Sequence, residues 1–74
     1  MAVERPLDAL NAVRGGNVVV ELKNGKTMRG KLLAYDIHIN LVLDETEELE
    51  DGQVSRKLGR ILIRGDTVII VHVA

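Results

Sequence analysis

Two nearly continuous runs of branched aliphatic residues, Ile61-Leu62-Ile63 and Val68-Ile69-Ile70-Val71, close this chain and are separated by only four residues. Strands buried on both faces read this way, without the polar alternation of a half-exposed strand. A 74-residue chain cannot cover both faces of its last two strands. It also lacks the usual reinforcements, because there is no Cys for a disulfide or thiolate site and the two His are far apart in sequence. A flat apolar edge left open would aggregate unless another chain paired with it. The sequence therefore predicts edge-to-edge strand pairing between identical subunits. Such a contact is head to tail, and it closes into a ring when the rotation allows.

Upstream, residues 5–14 read as a short helix: Pro6 suits a first helical position, Leu7, Leu10 and Val13 recur at helical spacing, and Gly15-Gly16 end it. From Asn17 the period becomes two. Strands are expected over 17–23, 26–35, 41–49, 53–63 and 67–73, with Asn24-Gly25, Asp51-Gly52 and Arg64-Gly65-Asp66 as tight connections. Val18, Val20 and Leu22 share one face of the first strand; Met28, Gly30, Leu32 and Ala34 share one face of the second, leaving Tyr35 on the other. Gly30 in mid-strand permits a sharp bend. The expected fold is mainly β, a single domain in which a helix precedes a strongly bent five-stranded antiparallel meander forming a small open barrel. Val, Ile and Leu make up 26 of the 74 residues, which suits strands.

The net charge of −1 argues at first against a nucleic-acid partner. Six of the eleven acids, however, fall between Asp44 and Asp51, and the remainder of the chain holds five acids against ten bases. That acidic stretch reads as a solvated rim. Nothing supports catalysis: Ser55 has no His near it in sequence, and there is no phosphate-binding glycine loop, no zinc-protease motif and no sign of a cofactor or metal. No apolar run approaches a membrane span, and the opening Met-Ala-Val-Glu-Arg-Pro has no apolar leader core, so the chain reads as soluble and cytoplasmic.

Two polar loops stand out. Asp36-Ile37-His38-Ile39-Asn40 places three polar side chains at alternate positions, which an extended backbone would point one way. The stretch from Gly30 through Tyr35-Asp36-Ile37-His38-Ile39-Asn40-Leu41 to Glu48, followed by Ile61-Leu62-Ile63-Arg64-Gly65-Asp66, resembles the bipartite motif of the Sm and Sm-like (Lsm) RNA-binding proteins, especially archaeal members. Glu45-Thr46 stands where that family more often has Asp-Ala. The resemblance implies subunits joined fourth strand to fifth strand into a ring, a homoheptamer with the hexamer as the familiar variant. It also implies that uridine-rich single-stranded RNA binds at pore-lining loops, in RNA processing, stabilisation or chaperoning.

The side chains fit that implication. His38 and Arg64 offer flat faces to sandwich a base, and Asn40 can meet the uracil edge. A free Asn amide can flip to suit cytosine, so a neighbouring carboxylate must fix it; Asp66 is the first choice, beside Arg64 and Gly65, and Asp36 the second. Tyr35 and His72 read as structural and as surface or interface residues respectively. Arg5, Arg14 and Lys23 read as solvated charges, with a helix-side RNA surface as the other reading. A single Tyr cannot build the aromatic groove of a Pro-rich peptide binder or the stacking sheet of an RNA-recognition motif. A ring that scaffolds other proteins and binds RNA only incidentally fits the same residues.

Overall fold

The structure, a computed structural model, describes residues 5–74; the residues read above for a leader lie partly outside that range. Helix α1 (Pro6–Val13) starts where Asp8 Oδ2 accepts the Arg5 backbone N–H at 3.0 Å. It buries Leu10 and half-buries Leu7 and Val13 against the sheet. The glycines after it are sewn to the second strand: Gly15 N–H donates to Leu32 O at 2.8 Å, and Leu32 N–H donates to Gly16 O at 2.9 Å.

Five strands follow, β1 (Asn17–Leu22), β2 (Thr27–Tyr35), β3 (Leu41–Glu50), β4 (Gln53–Ile63) and β5 (Val68–Val73), in one antiparallel sheet of order β4-β3-β2-β1-β5. The mainly-β open barrel is borne out, but the meander stops at β4. The short 3-10 turn Gly65–Thr67 sends the chain across to β1, where Val20 opposes Val71. The two apolar strands are therefore the two edges of the sheet. Leu62, Ile69 and Val73 on them are 65%, 61% and 66% exposed.

The sheet bends along a line through three strands. On β2, Gly30 faces the core so closely that a Cβ there would sit 3.0 Å from both Asp44 O and Thr46 Oγ1. On β3 the register slips beside Glu45, whose φ is +50°, and on β4 Thr46 opposes Gly59, whose φ is +71°. Glycine fits on β2 without a shift, whereas a side chain there would require the Asp44 carbonyl or the Thr46 hydroxyl to give by a few tenths of an ångström. The buried Thr46 hydroxyl has no hydrogen-bond partner among the described residues, a local packing cost at one of the two positions where the sequence departs from the family pattern.

Val18, Val20, Leu32, Leu41 and Leu43 form the fully buried centre, as the alternation of β1 and β2 required. The expected Ala34 does not join them. A bulge between Leu32 and Ala34 reverses the alternation, exposing Ala34 and turning Tyr35 onto the core.

The acidic stretch is not merely a solvated rim, because β3 lies between two basic strands. Arg29 pairs with Glu47, and Arg60 Nη2 donates to Asp44 Oδ2 at 3.2 Å. Glu48, only 9% exposed at the open end of the barrel, accepts from Arg56 Nη2 at 2.9 Å and from Ser55 Oγ at 3.2 Å, with Lys26 Nζ at 3.9 Å. The Arg56 guanidinium, assisted by the Ser55 hydroxyl and Lys26, holds the Glu48 carboxyl below its ordinary 4.5, against the opposing effect of burial. A lowered folded value means that the unfolded chain takes up protons first on acidification. The stabilisation by Glu48 is thus complete above about pH 4.5 and disappears as pH falls through the folded value. Glu48→Gln is expected to lower Tm at pH 7, with the gap to wild type closing below pH 4.5; a gap unchanged at acid pH would contradict the pairing.

Candidate nucleic-acid interface

Two loops meet at one end of the barrel, residues 36–40 between β2 and β3 and residues 64–67 between β4 and β5. The first is not extended. Ile39 N–H donates to Asp36 O at 3.0 Å, and Ile39 adopts φ +62°, an outlying conformation for a β-branched residue. The turn is held by Asp36, whose Oδ1 accepts the backbone N–H groups of His38 at 2.9 Å and Asn40 at 3.1 Å. Its second oxygen, Oδ2, accepts Asn40 Nδ2–H at 3.0 Å. The Asn40 side-chain amide, followed by the Asn40 and His38 backbone groups, pulls the Asp36 carboxyl below its ordinary value.

The second loop docks on the first through Gly65. Its N–H donates to Asn40 Oδ1 at 2.7 Å, and its Cα lies so close to the His38–Ile39 backbone that an added Cβ would fall 1.8 Å from His38 O. Arg64 O accepts from both the backbone N–H and the hydroxyl of Thr67, at 3.0 and 2.7 Å, while Thr67 O accepts from Lys23 N–H at 2.8 Å. Thr67 is the residue that the sequence reading missed. Its signal was an Arg-x-x-Thr spacing in which a hydroxyl can turn back on the carbonyl three residues earlier.

Asn40 is thereby fixed at both ends. Its oxygen must face the Gly65 donor and its nitrogen the Asp36 acceptor, since a flipped amide would set donor against donor and acceptor against anion. The first-choice partner, Asp66, does not do this; its Oδ2 takes Arg64 Nη2–H at 3.1 Å instead. His38, Asn40, Arg64, Gly65 and Asp66 line a shallow cleft of about 470 Å³, and Asp36 supports it from behind. Such a cleft offers a planar ring, a guanidinium plane and an oriented amide, the groups that meet an unstacked base by its faces and edge.

Residues 8–73 match the LSM domain. The chain belongs to the LSM family. An Sm-like protein of Methanococcoides burtonii is 54% identical over 67 residues, covering 90% of this chain and 93% of that protein. One of Archaeoglobus fulgidus is 53% identical over 70 residues, covering 95% and 91%. Among solved structures, the Pyrococcus abyssii Sm protein in complex with a uridine heptamer superposes with TM-score 0.91 at 44% identity, over 96% of this chain and all of that one. A heptameric archaeal Sm protein does so with TM-score 0.85 at 34% identity, over 90% and 97%.

The other singled-out residues of this LSM domain lie elsewhere. Arg5 pairs with Asp8 at 3.7 Å, Arg14 Nε donates to Leu33 O at 3.1 Å, and His72 Nε2 lies 3.7 Å from Glu21 Oε2 on the edge strand β5. No helix among the described residues is long and apolar enough to cross a membrane. Gly65→Ala is expected to force the two loops apart. Overpacking of this kind costs roughly 1–3 kcal/mol, which a lowered denaturation midpoint would report and an unchanged one would contradict.

Proposed function

We propose that the chain is a subunit of a ring of identical subunits, a heptamer, that binds uridine-rich single-stranded RNA through His38, Asn40, Arg64, Gly65 and Asp66, with Asp36 positioning Asn40. It acts in the cytoplasm by binding, without catalysis. The observation that carries the reading is the locked Asn40 amide. Its Oδ1 keeps a lone pair beyond the Gly65 contact, and its Nδ2 keeps an N–H beyond the Asp36 contact. Uracil presents N3–H and O4, a donor beside an acceptor, and matches that order. Cytosine presents the reverse, and would need a flip that costs two contacts and creates two repulsions.

Stacking supplies the sequence-tolerant part. A base between His38 and Arg64 gains roughly 1–3 kcal/mol, a weak contact taken singly. Repetition around a ring converts later contacts on the same strand into intramolecular ones, so affinity rises with oligonucleotide length. The ring itself is supported by the two open apolar edges and by the likeness to archaeal Sm heptamers, one of them at TM-score 0.89 and 32% identity. The uridine preference is supported by the Pyrococcus abyssii complex.

Titration of labelled oligo(U) of increasing length tests this. Wild type is expected to bind more tightly with length, and His38→Ala/Asn40→Ala to lose at least about tenfold, the equivalent of one stacked base. Equal binding by the double variant would sink the loop site. Asp36→Asn is expected to bring oligo(U) and oligo(C) affinities together; an unchanged ratio would remove the positioning role from Asp36.

A further inference from the structure

Within the two loops, 36–40 and 64–67, Arg64 is the only Lys or Arg, and it stands against two carboxylates, Asp36 and Asp66. Arg64 against two carboxylates leaves one negative charge in excess, and in a ring that excess recurs at every subunit. This is an unusual wall for a polyanion. Proteins that grip nucleic acid by its phosphates do so with free Lys and Arg, and their affinity falls steeply with salt as counterions are released.

From this charge arrangement, and resting on the RNA-binding reading above, we infer that Asp66 is a specificity-determining residue: by neutralising Arg64 it denies the cleft a phosphate clamp, so a bound strand is held by its bases. The geometry suits the role. The Arg64 Nη2–Asp66 Oδ2 contact of 3.1 Å spans two residues across the Gly65–Thr67 turn, and both Thr67 hydrogen bonds to Arg64 O hold that turn shut. The two side chains are 77% and 62% exposed, so both are within reach of a ligand. The face of the guanidinium stays open for stacking while one edge is occupied. A phosphate that displaced Asp66 would leave that carboxylate beside a second anion in a loop with no other cation. A base sliding over the guanidinium face meets no such penalty. Asp66 thus turns Arg64 from a point charge into a platform, and discrimination falls to the Asn40 edge.

The test measures log affinity against log salt for oligo(U) and oligo(C) of one length. Wild type is expected to show a shallow slope and a preference for oligo(U). Asp66→Asn, checked for its oligomeric state by native mass, is expected to steepen the slope by up to about 0.7 per occupied site, to bind both oligomers more tightly at low salt, and to lower the oligo(U) preference. Arg64→Ala/Asp66→Asn is expected to return the slope to shallow, which would identify Arg64 as the freed clamp.

A wild-type slope and ratio in Asp66→Asn would overturn the inference. So would weaker binding of both oligomers at an unchanged slope, which would make Asp66 only a brace for the guanidinium. Should Asp66→Asn not assemble, wild type with methylphosphonate oligo(U) decides: near-equal affinity to the phosphodiester supports base-held binding, and a large loss overturns it. Absence of any oligo(U) preference in wild type would instead sink the RNA-binding reading and leave the salt slopes as a separate result.

Discussion

The constraint on which the rest of this chain depends is the pair of open edges of its sheet. Strands β4 and β5 are consecutive in sequence yet lie at opposite sides of the sheet, because β5 pairs with β1. Each edge presents unpaired backbone groups together with apolar side chains such as Leu62, Ile69 and Val73. Two like edges would join subunits as a closed pair, whereas two different edges join them head to tail. Between the edges, the register irregularities beside Glu45 and Thr46 and the positive φ of Glu45 and Gly59 fall on β3 and β4, alongside the close approach at Gly30 on β2. The loop joining the edges, residues 64–67, is half of the candidate site. In the proposed ring, assembly and binding are coupled in the covalent chain: whatever seats Leu62 and Ile69 against a neighbour also seats Arg64 and Asp66 between them.

Polar contacts finish what the core begins. The core is small and aliphatic apart from Met28 and the half-buried Tyr35. Along β4, where Gln53–Lys57 are exposed, ion pairs to β3 through Arg56 and Arg60 take the place of apolar packing. Single exposed pairs contribute little, but a carboxylate such as Glu48 with three partners is part of a network. The same economy appears in the loops. One carboxylate, Asp36, satisfies three donors and so fixes a turn and an amide together.

Much of the architecture was legible. Alternation placed Val18 and Val20 inward, and mid-strand Gly30 marked the bend. Asn24-Gly25 and Asp51-Gly52 marked hairpins, although they use different geometries. Gly25 alone has positive φ in the first, where Gly25 N–H donates to Leu22 O at 3.0 Å, while both Asp51 and Gly52 have it in the second. The gathering of His38, Asn40, Arg64, Gly65 and Asp66 in one cleft followed from the bipartite motif. Three things were not legible. A bulge is silent in a period-two pattern, so Tyr35 and Ala34 changed places. The partner of β5 is a long-range choice that no local pattern records. The carboxylate that fixes Asn40 lies not beside Gly65 in the partner loop but in Asn40's own loop, where the turn at Ile39 folds Asp36 back onto it.

The central claim is that the open edges of this sheet complete one another. Native mass spectrometry of the chain without RNA tests it most directly. A single discrete species of seven 8.1 kDa subunits is the predicted result. A stable monomer, or an open-ended ladder of sizes, would contradict it.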